Sequence, residues 1–366
     1  MLMTDLTNKT MVFSTDKITV PTPTQKVGRD KDYVAFGVDN KYPDFIYGLY
    51  NECTTLQAIA NGLMDFIGGN SISINPTLTN FINYVNQDQE EIEDIIKKSI
   101  MDLVVHNGFY IQILKNQFGD ITEIYHLDFK DCRVSEDERF IFYSKKWGSY
   151  GNQALKYHTF DIDNDANAQI YYYKSPKSKD IYPLPIFSAA IKSILTSINI
   201  QDFHLSAITQ KFMGNIMVNF NNGNPEPEVK EKIVKDFRDM FEGTGGKTIV
   251  FNWNEDKEKA TTLDRIATDD FDERYQALSE STRQNIFIAF RATPALFGLM
   301  TESTGFNSQE FEEAYILYQK TMVTPYQQDI VRVFDKIFGV KDSIVIEPFK
   351  LEFKERNNKN TITIEK

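Results

Sequence analysis

A change of period in the middle of this chain constrains its fold more than any other feature. From Gly108 to Tyr173, short apolar runs alternate with turn residues. The runs are Phe109–Leu114, Ile121–Leu127, Phe140–Tyr143 and Ile170–Tyr173, with Asn116–Asp120, Asp131–Glu138 and Gly148–Asn152 between them. Runs of this length bounded by such residues read as short strands, here an antiparallel β region. From Ile186 to Gly214 the spacing changes to threes and fours, with Phe187, Ile191, Ile194, Leu195, Ile198, Leu205, Ile208 and Phe212 apolar. That is the signature of one long helix, about 40 Å from end to end at 1.5 Å per residue. Strands first and long helices afterwards mark an α+β chain.

The flanking segments fit this plan. Pro21, Pro23 and the polar stretch Thr22–Asp32 read as an irregular lead-in. Phe36–Pro43 is turn-rich and opens a helical run through Phe45, Leu49, Leu56, Ile59, Leu63 and Phe66, stopped by Gly68-Gly69. A second helix is predicted to start near Thr77 or Asn86, with Ile92, Ile95, Ile96, Ile100 and Val104 as its apolar stripe. Beyond Gly214 come a strand at Met217–Phe220, a turn at Asn221–Pro225, an amphipathic helix at Glu226–Phe241 and a strand at Thr248–Phe251. A helix is predicted from about Asp269 to Arg291, ended by Thr293-Pro294. After the polar loop Thr301–Ser308, a last long helix runs to Phe338 and should bend at Pro325, whose ring cannot donate to the carbonyl of Thr321. Ser343–Phe353 is a final strand candidate, and Lys354–Lys366 is a charged tail.

Composition narrows the function classes. The 366 residues carry 40 Lys and Arg against 52 Asp and Glu, a net charge of −12. A protein that grips DNA by displacing phosphate counterions is normally basic. The acidic balance therefore fits ordinary solvation, or a surface that lets DNA pass without holding it. Cys53 and Cys132 are the only cysteines and give neither a disulfide framework nor a zinc site. Met1–Thr10 lacks the apolar core of a signal peptide, and no stretch has the ~18 apolar residues of a membrane span. The expectation is a soluble protein, intracellular when made.

Several segments imitate catalytic or binding motifs. Gly243-Thr244-Gly245-Gly246-Lys247-Thr248 resembles a phosphate loop, but Phe241 stands where its first glycine belongs. The predicted order, helix before and strand after, is also the reverse of what places amide donors at a helix start. Asp161-Ile162-Asp163-Asn164-Asp165 begins like a calcium loop, yet the sixth position is Ala166 and the twelfth Tyr172. His106, His126, His158 and His204 are isolated in sequence. Asp269-Asp270 and Glu312-Glu313 read as helix-start or solvated charges. The expectation is a non-enzymatic protein with no catalytic, cofactor or metal residues.

Three stretches carry a family resemblance: Phe36–Pro43, Tyr182–Ala190 and above all Ile286–Gly298, with Gly305–Phe311 and Thr321–Pro325 extending it. In Ile286–Gly298 a helix ends in Ala-Phe, followed by Pro and then Leu-Phe-Gly. Together they resemble the portal (head-to-tail connector) proteins of tailed bacteriophages over roughly Val34–Phe338. The resemblance implies a portal-type α+β subunit. Residues 1–33 would be an N-terminal arm and 34–185 a mixed α/β wing. The first stem helix would span 186–214, and a small strand–helix–strand clip 215–265. The second stem helix and wing return would take 266–298, a tunnel loop 299–308 and a kinked long helix 309–340. Residues 341–366 would hold a strand and tail, with the crown reduced or absent.

The resemblance also implies a ring at one capsid vertex, of twelve subunits, through which double-stranded DNA is packaged and ejected. Its partners would be the large terminase subunit, head–tail adaptors, and the major capsid and scaffold proteins, with no membrane. Glu302, Ser303, Thr304, Gly305, Phe306 and Asn307 would form the DNA-facing tunnel loop, with Pro325 at the helix kink. The competing readings are another oligomeric head–tail connector or adaptor, and an enzyme with a dispersed active site.

Overall fold

The computed structural model describes residues 10–11, 20–28, 31–149, 151, 153–209, 216–220, 225–241, 249–253, 262–265, 271–297 and 308–349. The chain divides into two compact units: Met1–Val20 with Lys192–Asn285, and Pro21–Ile191 with Ile286–Lys366. The first strand, β1 (Thr10–Met11), belongs to the former.

In the larger unit β2 (Gln25–Val27) and β3 (Val34–Phe36) pair antiparallel. Two helices follow, α1 (Tyr42–Glu52) and α2 (Thr54–Gly68), where the spacing predicted a single run. The chain breaks at Cys53, which is extended at φ −98° and ψ 107° while its N–H still reaches the Leu49 carbonyl. Leu49 and Leu56 are both buried, so the apolar period runs across the break and hides it. After β4 (Ser71–Ile74), the third helix α3 (Ile92–His106) starts later than either predicted site. Thr77 is held in a turn by the Asn75 side chain, whereas the Asp94 carboxylate accepts the Glu91 N–H at 3.0 Å and fixes the true start. All five predicted stripe residues of α3 are buried.

Asn107, left-handed at φ 64°, ends α3 and turns the chain into β5 (Gly108–Lys115). With β6 (Ile121–Leu127), β7 (Cys132–Val134), β8 (Phe140–Tyr143), β9 (Leu155–Thr159) and β10 (Ala168–Lys174) it forms a sheet of order β6-β5-β10-β9-β8-β7. The expected antiparallel region is in fact mixed, because β10 and β9 run parallel, with Gln169 opposite His158. β7 lies inside a stretch read as a turn, and β9 was not anticipated.

Two buried cations brace this sheet. The Arg133 side chain is fully buried; its Nε donates to Asn40 Oδ1 at 2.6 Å and its Nη2 to the Asn40 carbonyl at 2.6 Å. Its Nη1 reaches the carbonyls of Lys130 and Cys132. Asn40 Oδ1 also accepts the Phe36 N–H, so the Phe36–Pro43 turn is locked onto the sheet. Lys115 resolves the calcium-like loop: its Nζ donates to the carbonyls of Asp161, Ile162 and Asn164 at 3.2, 2.9 and 3.0 Å. A tethered ammonium therefore sits on the carbonyls that would have faced a cation.

At the end of this stretch of the larger unit a 3₁₀ turn, Ser188–Ala190, precedes α4 (Ile191–Thr209), which carries the chain into the smaller unit, so the α-helix proper starts later than the predicted Ile186. The Ser188 N–H donates to the Pro185 carbonyl, a tight entry that the two prolines impose. Positions 210–214 lie outside the described residues. Next come β11 (Ile216–Phe220), α5 (Pro227–Phe241), β12 (Ile249–Trp253) and β13 (Thr262–Arg265), in a sheet of order β1-β12-β11-β13. β11 and β12 are parallel and joined through α5, a crossover unit. β1 and β13 flank them antiparallel, and neither was predicted as a strand. The glycine-rich loop lies outside the described residues, but α5 ends at Phe241 before it and β12 opens at Ile249 after it. That is the helix-then-strand order which argues against a phosphate loop.

The chain then forms α6 (Phe271–Ala289), a 3₁₀ turn at Pro294–Phe297, α7 (Ser308–Tyr318), a π-helical turn at Gln319–Val323 and α8 (Thr324–Phe338). β14 (Ile344–Glu347) returns antiparallel to β4. Among the described residues, no helix is long and apolar enough to cross a membrane.

Candidate functional site

The first candidate region is the pair of helices read as stems. Asn285 Nδ2 donates to Ser193 Oγ at 3.3 Å, and the Phe203 and Tyr275 rings stack at 4.8 Å. The start of α4 thus lies beside the end of α6, an antiparallel pair. Their burial is sparse. Every residue of Gln201–Leu205 and of Gln276–Ser281 is exposed. Each stretch exceeds one helical turn of 3.6 residues, so solvent reaches all sides there. Phe203, Leu278 and Ile288 are exposed apolar residues on these helices, Ile288 by 71%. Helices gain most of their stability from packing an apolar face; here Ile194 and Ile286 are buried, while Phe203, Leu278 and Ile288 are left exposed.

The second region is the base of the loop that follows α6. That helix closes with two bonds: Ala292 N–H to the Phe287 carbonyl and Arg291 N–H to the Ile288 carbonyl, both 3.0 Å. Arg291 takes the left-handed conformation at φ 51°. This is the Schellman arrangement, with arginine where glycine is usual. Pro294 then starts the 3₁₀ turn that delivers Phe297 onto α2. A Cβ at Gly62 would come within 2.6 Å of the Phe297 ring, so only glycine admits it there. Phe297 meets Phe66, Phe287 and Tyr318 with centroids about 6 Å apart, and Phe66 also meets Tyr315 and Phe349. Residues on both sides of the loop, Phe297 before it and Tyr315 and Tyr318 after it, thus share one aromatic cluster. Glu302, Ser303, Thr304, Gly305, Phe306 and Asn307 lie outside the described residues.

Pro325 sits at the start of α8, directly after the π turn. Within that turn the Thr324 N–H reaches back five residues to the Gln319 carbonyl. The backbone widens one turn before the residue that cannot donate a helical bond, which is how a helix absorbs a proline ring. Tyr318 Oη and Gln319 Oε1 are buried without hydrogen-bond partners at the same place. On α8, Asp329 accepts from the Tyr173 hydroxyl of β10 at 2.7 Å and pairs with Arg332 at 3.1 Å.

The titratable groups have structural partners. His126 Nε2 lies 2.8 Å from Asp102, whose carboxylate also accepts the Phe129 N–H. His106 stacks on Phe129, and burial lowers its pKa to about 4. Burial raises Asp131 to about 6. Among the described residues, no group of three or more His, Cys, Asp or Glu is placed to hold a metal.

The sequence reading missed the Phe297–Gly62 contact, the arginine C-cap and the π turn. A signal for the first was present, since a glycine inside a helical pattern often marks a close approach. Nothing comparable announced a left-handed arginine.

The sequence profile of one family, described as phage portal protein, matches residues 60–358. Among solved structures, the neck of a native gene transfer agent particle computed with C12 symmetry is 13% identical, with a TM-score of 0.54 over 84% of each chain. The neck of an empty particle computed with C6 symmetry gives 14% identity and 0.55 over 84% of this chain and 85% of its own. An HK97 family phage portal protein from Corynebacterium diphtheriae gives 10% identity and 0.53 over 83% of this chain and 95% of its own. Likeness at such identities is one of fold. No curated protein matches the chain.

Proposed function

The chain belongs to the phage portal protein family, and we propose that it is one subunit of a closed ring at a single capsid vertex, a conduit for DNA packaging and ejection. The observation that carries this reading is the exposure of whole turns of α4 and α6. Helices with whole turns open to solvent call for neighbours, and a closed ring of identical subunits supplies them along its circumference. The C12 symmetry of the related neck favours twelve subunits. In this reading residues 186–214 and 266–298 hold the stem helices and 215–265 is the clip that meets the terminase motor and later the head–tail adaptor. The wing spans 34–185 and faces the capsid. The role is structural rather than enzymatic.

Residues 299–308 are the tunnel loop. Its base is clamped by Phe297 and Tyr318, so the loop residues Glu302 to Asn307, polar apart from Gly305 and Phe306, can face DNA without the stem having to move. The acidic Glu302, with no basic residue from Thr301 to Ser308, suits passage rather than grip. The π turn and Pro325 bend the helix that follows. Deleting Ser303–Phe306 tests the assignment. Rings should still form, while DNA packaging or retention is impaired. Normal packaging and retention of a full genome would remove the loop from any DNA-facing role, and loss of rings would place it in the subunit interface.

A further inference from the structure

The larger unit presents a knob and a hollow that it does not use itself. The knob is Phe118, at the tip of the β5–β6 hairpin and 90% exposed. Its turn is built to hold it there. Asn116 Oδ1 accepts the N–H groups of Phe118 and Asp120 at 2.9 and 3.0 Å, and the Asn116 carbonyl accepts the Gly119 N–H at 3.1 Å. Gly119, at φ 88°, supplies the left-handed turn position. Asn116 Nδ2 also donates to the Asp120 carboxylate at 3.2 Å. An exposed phenylalanine on a floppy loop would carry little information. One fixed by four side-chain and main-chain bonds is pre-organised, and so loses little entropy when it docks.

The hollow is an open groove of about 1030 Å³ between α2, α3 and the 3₁₀ turn after α6. Met64, Phe66, Met101, Leu296, Phe297 and Phe349 supply its apolar lining, all half-buried. Methionines and aromatic rings make an adaptable apolar surface. Lys97 and Lys98 stand on the rim, each paired with a glutamate of its own, Glu93 and Glu90. Asp65 lies at the same rim. The lysines offer an ion-pair partner to the Asp120 carboxylate that travels with Phe118.

We propose that Phe118 of one subunit seats in this groove on the next copy of the chain. The inference rests on the ring reading above. A ring needs a heterologous contact, in which one patch of a subunit meets a different patch of its neighbour. A pre-organised aromatic anchor and an apolar hollow with lysines on its rim form such a pair, of the kind that dominates interface energetics.

Cysteine cross-linking tests this on the full chain. Cys53 and Cys132 are both buried, so engineered surface thiols react selectively. Gln117→Cys combined with Lys97→Cys, which keeps Phe118 itself, should give a ladder of covalent multimers with a short bismaleimide, while neither single variant should. Phe118→Ser should raise the concentration at which rings half-assemble about tenfold, the usual order for losing one aromatic anchor. Rings seen by electron microscopy without a ladder, or with only an intramolecular link, would overturn the docking and leave the ring reading standing. A wild-type chain that forms no rings would overturn both.

Discussion

In the six-stranded sheet the buried cations Arg133 and Lys115 meet backbone carbonyls, and the Tyr173 hydroxyl ties β10 to α8. Along α4 and α6, by contrast, whole turns are exposed and apolar side chains such as Ile288 stand in solvent. The first region meets its two buried cations with acceptors from the same chain. The second exposes Phe203, Leu278 and Ile288, which in the proposed ring would meet neighbouring subunits. On the proposed reading, the first region would fold within the subunit and the second would be completed by assembly.

The most forceful way to break this contrast is Arg133→Met. It strips two partners from Asn40 and leaves the carbonyls of Lys130 and Cys132 buried and unmatched. Leaving buried acceptors without a donor costs about 1–3 kcal/mol apiece. Chemical denaturation of the variant should show a drop of that size, whereas Phe203→Ser on α4 should leave subunit stability nearly unchanged and weaken assembly. A small loss for Arg133→Met would mean that the sheet does not depend on its buried brace.

A smaller effect concerns pH. His106 is buried against Phe129, and desolvation lowers its pKa from 6.5 to about 4, with Arg133 and Lys130 adding repulsion against attraction by Asp102. Its folded pKa lies below the unfolded one, so the neutral ring is favoured in the fold. The associated stability is complete above pH 6.5 and is lost as pH falls through that value towards 4. At 1.36 kcal/mol per unit the loss reaches about 2–3 kcal/mol by pH 4.5. Urea midpoints compared at pH 7.5 and 4.5 should fall less in His106→Phe than in the parent. Equal falls would show that the histidine is not a source of acid sensitivity.

The smallest predicted effect is a gain. Arg291 occupies a left-handed C-cap at φ 51°, a conformation that costs a side-chain-bearing residue roughly 1 kcal/mol. Arg291→Gly should stabilise the subunit by about 0.5–1 kcal/mol, read from thermal denaturation at equal protein concentration. A loss would mean that the arginine side chain makes a contribution larger than the backbone strain it brings.

Much of this fold could be read from local pattern, and the exceptions share a cause. The stripe from Ile92 to Val104 and the runs at Phe109, Ile121, Phe140 and Ile170 were legible because their period reports burial directly. β7 was not, since its middle residue is Arg133, whose burial depends on Asn40, 93 positions away. β9 was missed because Leu155, Lys156 and His158 are exposed, so no face alternates. The calcium-like loop was set aside on its sixth and twelfth positions, but what does occupy it, Lys115, 46 positions before Asp161, left no local sign. At the candidate site, the motif Ile286–Gly298 announced a helix end and a turn. Its seat on Gly62 was set by a contact that no local window contains. α4 and α6 were legible as helices from spacing, but the exposure of their turns appears only in the folded structure.

Imaging the purified wild-type chain by negative-stain electron microscopy, with mass measured in parallel, tests the central claim most directly. The account predicts closed rings with a central hole and a mass near twelve times the 42.3 kDa subunit, matching the C12 symmetry of the related neck. A folded monomer at every concentration tested, with no ring in any field, would contradict it.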